Sequence, residues 1–305
     1  PMNQITIATR ESALALWQAN FIRDRLMEAH PGLDVKLLGM TTKGDQWLNA
    51  PLKEIGGKGL FIKELEVAML EGRADLAVHS VKDLPAFLPE GFSLPFIGFR
   101  DDVRDVLLGC PGGIDQLPQN AKVGSSSPRR QAQLLAHRPD LRVESIRGNV
   151  QTRLSKLDSG EFDAIVLAQA GLSRLGLDRD DAHPLAIEDC LPAPGQGALG
   201  IEILSDSLVG ALLEKLLDRN VARCVEAERG ISAGLGADCA LPVAAYAKAD
   251  AEGQIFLQAL VAEPDGSAIL RADGRGENPQ ALAQSVVTKL LDQGAQSILD
   301  NARQD

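Results

Sequence analysis

Aromatic residues are scarce in this chain: eight Phe, two Trp and one Tyr make up 4% of its 305 residues. Cysteine and histidine number four each and are widely scattered. Cys110, Cys190, Cys224 and Cys239 form no C-x-x-C pair, and none has a histidine at ligand spacing. Structural zinc and thioredoxin-type redox sites are therefore not expected, and neither is any other metal. No stretch approaches the roughly 18–20 uninterrupted apolar residues of a membrane helix. Glycine and proline are spread along the chain, which argues against collagen-like and low-complexity architectures. Residues 1–10 are too polar for a secretory signal. A cytoplasmic monomer with free thiols and no membrane partner is the expectation.

The formal net charge is −11, which speaks against nucleic acid as a partner. That charge is unevenly placed. Between Arg129 and Arg174 lie seven arginines and one lysine against five carboxylates. A basic island in an acidic chain points to a local anionic ligand.

The periodicity predicts α/β folding. Residues 4–8 alternate as a strand, and Leu14, Trp17, Phe21, Ile22 and Leu26 recur at helical spacing. Strand 35–40, helix 60–70 and strand 75–79 follow, a β-α-β-α-β order that predicts a mostly parallel sheet. A second unit repeats the theme with strands near 122–124, 142–146 and 163–168. Its helix opens at Ser127-Pro128, an N-cap followed by proline at the first helical position. The acidic run 100–105 reads as a linker. Strand 198–204 has room to return to the first sheet. From about residue 219 a helix, three strand-like runs (243–249, 255–262, 268–272) and a helix near 279–291 make a small α+β module. The expected domains are 2–99 with 197–216, 103–193, and 219–305.

Ligands in open α/β sheets sit at the C-terminal ends of strands. Three polar clusters fall there: Thr9-Arg10-Glu11-Ser12, His79-Ser80-Val81-Lys82-Asp83, and Ser125-Ser126-Ser127-Pro128-Arg129-Arg130. Each joins hydroxyls and a cation to a possible helix start, a combination that cradles carboxylates or phosphates. Gly56-Gly57-Lys58-Gly59 is not a Walker loop, because no glycine lies upstream at the required spacing and Gly59 replaces the Ser or Thr. A glycine-rich segment carrying Lys53 and Lys58 describes it better. On these residues alone a non-catalytic binding protein for a small anionic ligand stays open. A phosphoribosyltransferase-like enzyme is disfavoured, since an acidic phosphoribosyl-diphosphate loop is missing.

Six stretches, in order, carry a resemblance. They are Ala8-Thr9-Arg10-Glu11-Ser12-Ala13-Leu14-Ala15, Gly56-Gly57-Lys58-Gly59-Leu60-Phe61, and Ala77-Val78-His79-Ser80-Val81-Lys82-Asp83-Leu84-Pro85. Then come Ser145-Ile146-Arg147-Gly148-Asn149-Val150 with Arg153, Gly171-Leu172-Ser173-Arg174-Leu175-Gly176, and Pro194-Gly195-Gln196-Gly197-Ala198. Together they resemble the hydroxymethylbilane synthase family over nearly the whole chain.

The resemblance implies two α/β domains like those of periplasmic binding proteins and a third, α+β domain carrying a cofactor cysteine. It implies an enzyme that condenses porphobilinogen, with loss of ammonia, on a covalently held dipyrromethane primer. Cys239 holds the position of the attachment cysteine. Each pyrrole unit brings an acetate and a propionate, which is the chemistry that arginine forks recognise. The resemblance assigns the primer's carboxylates to Lys82, Ser125, Ser127, Arg129, Arg130 and Arg153. It assigns incoming or growing units to Arg10, Ser12, Arg147, Arg174, Lys53, Lys58 and Gln196, and catalysis to Asp83. Two departures stand out. The family usually has two glycines before the cysteine, where this chain has Ala237-Asp238, and a carboxylate beside a thiol reduces its thiolate fraction. The residue before the paired arginines is commonly leucine and here is Pro128, which the first helical position accommodates.

Overall fold

The computed structural model describes residues 2–41 and 62–304. In chain order the elements begin with β1 (Gln4–Arg10), α1 (Ala13–Ala29), β2 (Asp34–Met40), α2 (Lys63–Leu70), β3 (Leu76–Ser80), β4 (Phe92–Ser93) and β5 (Phe96–Arg100). Next come β6 (Asp105–Leu108), β7 (Lys122–Gly124), α3 (Pro128–His137), β8 (Arg142–Glu144), α4 (Val150–Asp158), β9 (Ala164–Ala168), α5 (Gln169–Arg174) and β10 (Ala182–Pro184). The chain continues through β11 (Ala198–Leu204), α6 (Val209–Leu213) and α7 (Arg219–Leu235). It closes with β12 (Val243–Ala249), β13 (Ile255–Ala262), β14 (Ile269–Gly276), α8 (Pro279–Asp292) and α9 (Ala295–Gln304). Two compact units result. One contains the described residues up to Asp101 with Gly197–Ala222, the other Asp102–Gln196 with the chain from Arg223 onward.

In the first unit the strand order is β2-β1-β3-β11-β4, with β5 also on β11. β1 pairs in parallel with β2 and β3, whereas β11 runs antiparallel to β3, β4 and β5. The sheet is therefore mixed rather than mostly parallel, because the returning strand β11 enters against its neighbours. Ser12 caps α1 by accepting from Ala15 N at 3.4 Å. The helix then turns Ala19, Ile22 and Leu26 onto Ile5 and Ile7 of β1, all fully buried. Burying each such Ile or Leu contributes about 1.5–3 kcal/mol. The opposite face, with Ala8 and Ala77, packs under Leu65, Ala68 and Met69 of α2.

The second unit holds two sheets. In the first, ordered β10-β6-β9-β7-β8, strands β7, β8 and β9 are parallel, and β6 runs antiparallel to both of its neighbours, β9 and β10. Asp105, read as the end of a linker, instead opens β6 and is fully buried. Ser127 caps α3 by accepting from Arg130 N, with Pro128 in the first turn. The other sheet is the meander β12-β13-β14. Its inward residues Ile255, Leu257 and Val261 share a core with Ile231 of α7, Val286 and Leu290 of α8, and Leu299 of α9. Leu260 and Ala262 pack on the reverse face with Ala132 of α3 and Leu191, so the end of β13 is covered on both sides.

Candidate functional site

β1 and β3 are adjacent and parallel, so their C-terminal ends lie side by side. Arg10 ends β1, and β3 runs into the 3-10 turn Val81–Asp83. Gln18 of α1 donates to Ser80 Oγ at 2.7 Å and pins the entry to that turn. Lys82 is half-buried and Asp83 exposed. The Ser12 hydroxyl is engaged as the α1 cap. This end of the first unit thus gathers Arg10, Ser12, Lys82 and Asp83. Lys53 and Lys58 lie outside the described residues.

In the second unit the parallel strands β7, β8 and β9 bring their following loops to one end of the sheet. Ser126 ties two of these loops together: its hydroxyl donates to Ile146 O at 2.6 Å and accepts from Ile146 N at 3.0 Å. Ser125 is buried and accepts from Ser127 N at 3.2 Å. Asn149 caps α4 through Thr152 N at 2.9 Å. Gly148 has a φ of +109°, and a Cβ there would meet Thr152 at 2.6 Å, so only glycine suits the turn. Arg153 Nε donates to Gly148 O at 2.9 Å, which places this arginine against the loop carrying Arg147. Arg174 ends α5, directly after β9, and is buried.

Arg129 and Arg130 project from the first turn of α3 onto one buried carboxylate. Arg129 Nη1 lies 2.6 Å and Arg130 Nη2 2.9 Å from Asp105. Burial alone would raise the Asp105 carboxyl, but the two guanidiniums outweigh it and hold the group well below the usual carboxylate range. Gln196 is fully buried in the same network, donating to Val103 O at 2.8 Å and Asp105 Oδ1 at 3.0 Å. Cys190 also contacts Asp105, at 3.2 Å, and burial pushes its thiol up, which makes it inert. The structure therefore brings Ser125, Ser127, Arg129, Arg130, Arg147, Arg153 and Arg174 to one end of one sheet. It sets Gln196 beneath that set, with its amide occupied. Asp105 escaped the sequence reading. The signal for it was a lone carboxylate heading the apolar run Val106-Leu107-Leu108.

Cys239 follows α7 in a turn built by local chemistry. Gly236, at a φ of +61°, ends the helix: Gly236 N donates to Ala233 O at 3.2 Å and Ala237 N to Ser232 O at 2.9 Å. This pairing of bonds is a Schellman motif, which requires the left-handed residue that glycine supplies. Arg303 of α9 donates to Gly236 O at 2.8 Å, and Asp238 Oδ1 accepts from Ala240 N at 2.8 Å. Ala237 is buried in the core, so the alanine found in place of a glycine serves as the apolar residue after the helix stop. None of the four cysteines is in a disulfide, and Cys239 alone among them is exposed. A dipyrromethane needs an accessible thiol for a thioether and cations for its carboxylates, and the second unit supplies both.

Comparison with known proteins agrees with this chemistry. The model of the porphobilinogen deaminase dipyrromethane cofactor-binding domain matches residues 5–209, and that of the porphobilinogen deaminase C-terminal domain matches residues 222–292. A porphobilinogen deaminase from Thiobacillus denitrificans is 53% identical over 303 residues, covering 98% of this chain and 99% of that protein. Among solved structures, the periplasmic VFT2 domain of Bordetella pertussis BvgS has 15% identity and a TM-score of 0.44 over 70% of this chain and 87% of that one. The BenM effector-binding domain has 15% identity and a TM-score of 0.42 over 76% and 93%. With one family model over the α/β part, another over the α+β part and a relative matched along nearly its whole length, the chain belongs to the porphobilinogen deaminase family.

Proposed function

We propose that Cys239 anchors the primer and that Asp83 is the catalytic carboxylate of the family reaction. The chain is a transferase that polymerises porphobilinogen into hydroxymethylbilane, with release of ammonia, on a dipyrromethane cofactor. When bound, the dipyrromethane supplies a free pyrrole α-carbon to which the first substrate is joined. The residue roles carry the proposal, and one observation supports the anchor above the rest: Cys239 is the exposed thiol of the four.

Lys82, Ser125, Ser127, Arg130 and Arg153 bind the primer's carboxylates. Arg129 and Gln196 serve that set from beneath, through Asp105. Arg10, Ser12, Arg147 and Arg174 bind the acetate and propionate groups of incoming and growing units, a task shared by Lys53 and Lys58. Each charge-assisted hydrogen bond contributes about 1.5–3 kcal/mol, so single losses weaken binding without abolishing it. Asp83 stabilises the cation left when ammonia departs from porphobilinogen, and its Oδ atoms pass protons to the leaving amine and from the newly bonded carbon. One charge pair at about 4 Å in an effective dielectric near 20 is worth roughly 4 kcal/mol, or about three decades of rate. Four cysteines outside any disulfide also suit a reducing compartment such as the cytoplasm.

Two measurements test the reading. Intact mass should show an adduct of two pyrrole units that maps to the Cys239 peptide and is lost in Cys239→Ser. Asp83→Asn, nearly isosteric, should fold normally and lose about three decades of turnover. A normal adduct in Cys239→Ser, or near-normal ammonia release by Asp83→Asn, would overturn the corresponding role.

A further inference from the structure

One strand stands between the two halves of the proposed primer site in the second unit. Side chains alternate along β13, so Leu257 and Val261 face one way while Leu260 and Ala262 face the other. The first pair shares its core with Leu235, the last residue of α7, and with Ala237, which precedes Asp238 and Cys239. The second pair packs on Ala132 of α3, the helix whose first turn carries Arg129 and Arg130. The thiol and the arginines are thus carried by elements packed on opposite faces of one strand.

The turn that follows β13 closes on the same helix. Glu263-Pro264-Asp265-Gly266 is a β-turn sealed by Gly266 N, which donates to Glu263 O at 2.9 Å. Proline after the first residue and glycine at the end are the favoured choices for such a turn. Asp265 Oδ1 accepts from Ser267 N at 2.9 Å and stiffens it. Gln131 Nε2 of α3 donates to Pro264 O at 3.1 Å. Gly266, at a φ of +75°, lies backbone to backbone on the helix: a Cβ there would come within 2.5 Å of Ala136 N and 2.6 Å of Ala132 O. Both are main-chain atoms of α3, so no side-chain rotation relieves the overlap.

The other sides of α3 are held as well. Gln133 accepts from Leu191 N at 2.7 Å and donates to Leu191 O at 3.1 Å. Leu134 is buried against Val123 and Val166 of the α/β sheet, and Arg129 and Arg130 reach Asp105. With the helix gripped there, a turn pushed off it displaces the meander instead. Packed interiors transmit such strain, and the core on the far face of β13 passes it to the residues that lead into Cys239.

We propose that Gln131 and the Pro264–Gly266 turn position the primer: their contact sets the spacing between the attachment thiol and the arginine helix, and so where the free pyrrole α-carbon stands for transfer. The inference rests on the reading of Cys239 as the anchor and of the α3 arginines as part of the carboxylate set. Gly266→Ala adds one methyl group at the contact and touches neither the thiol nor an arginine. It should carry the primer and keep KM for porphobilinogen within about twofold of wild type, yet lose roughly ten- to a hundredfold in kcat, the consequence of a shift near 1 Å at the reacting atoms. Gln131→Ala removes only the bond to Pro264 and should lose roughly two- to fivefold in kcat. It decides the matter alone if Gly266→Ala fails to fold.

The measurement is steady-state ammonia release by primer-loaded protein, well below every Tm, with intact mass recording the adduct. Val286→Ala, on the α8 side of the same module's core, controls for stability: it should lower Tm and leave kcat at the wild-type level. Wild-type kcat in the folded turn variants, or an equal fall in Val286→Ala, would make the contact purely structural and overturn the inference. Failure of the underlying reading looks different: the adduct would persist in Cys239→Ser, or Arg130→Gln would turn over normally, whatever the turn variants do.

Discussion

Arg129 Nη1 lies 2.6 Å from Asp105 Oδ2, with side-chain exposures of 6% and 0%. Arg130 reaches the same carboxylate, so two cations share one anion in the interior of the second unit. Arg129 also donates to Leu191 O at 2.8 Å, which extends the network to the segment that leads into Gln196. The helix that offers arginines to the ligand end of the sheet is thus anchored on a residue 24 positions earlier in the chain.

Asp105→Asn should therefore be costly. It leaves two buried guanidiniums facing a neutral amide, and breaking a buried ion pair typically costs about 3–5 kcal/mol. Urea unfolding measures this directly. A loss below about 1 kcal/mol would mean that the arginines relax into water and that Asp105 does not hold them.

Glu228 gives a second test, in the join between the two sheets of the second unit. Fully buried on α7, it accepts from Gly195 N at 2.8 Å through one oxygen and from Ala247 N at 3.0 Å through the other. Glutamine has one acceptor oxygen and one NH2, so Glu228→Gln leaves one backbone N–H facing a donor. Hydrogen bonds to charged groups contribute about 1.5–3 kcal/mol, and an orphaned buried donor costs about 1–3 kcal/mol. We expect a stability loss on the order of 2–3 kcal/mol and faster hydrogen exchange at Gly195 or Ala247. Unchanged exchange at both amides would refute the bridging role.

What could be read from sequence, and what could not, follows from the range of the interactions. The strands at 198–204, 243–249 and 255–262 have the bounds that apolar runs and flanking turns imply. The Ser127-Pro128 helix start is likewise local chemistry. β6 was missed because its first residue is an aspartate, and only partners 24 and 25 residues away make that residue interior. β14 runs to Gly276, beyond the expected 272, since its alternating half-exposed face carries Arg and Asp. α9 went unread: Ala295, Ile298, Leu299 and Ala302 are buried at helical spacing, a pattern hidden in a polar segment. The residues around Arg10, Asp83 and Arg130 stood out as polar clusters at strand ends, whereas Arg147 entered only through the resemblance. The buried cluster of Glu66, His79 and Glu202 in the first unit did not stand out, because residues 13 and 123 positions apart meet only through sheet pairing and a helix laid across it.

That cluster also leaves a signature in stability. Glu66 titrates near 8 in the folded protein against 4.5 normally, so between those values the folded state binds the extra proton and stability falls as pH rises. His79 titrates near 4 against 6.5, so between those values the unfolded state binds more protons and stability rises with pH. The two effects oppose each other up to about 6.5, and from 6.5 to 8 the effect of Glu66 is no longer offset by His79. Wild type should lose on the order of 1–2 kcal/mol across that interval, and Glu66→Gln should flatten the decline. Urea midpoints at several pH values decide the matter, and parallel curves for both proteins would rule out a buried proton on Glu66.

The residue before the exposed cysteine gives the last prediction. Asp238 accepts from Ala240 N at 2.8 Å, so it shapes the turn as well as placing a charge beside the sulfur. Asp238→Asn separates these effects: the amide oxygen still accepts, while the negative charge that disfavours a neighbouring thiolate is gone. In primer-free protein, iodoacetamide should alkylate Cys239 several-fold faster in the variant at neutral pH, and primer loading should quicken in step. Asp238→Ala loses the charge and the acceptor together. If alkylation accelerates in Asp238→Ala but not in Asp238→Asn, the turn rather than the charge limits access to the sulfur. If neither variant differs from wild type, the departure from the family's two glycines has no bearing on the reactivity of this thiol.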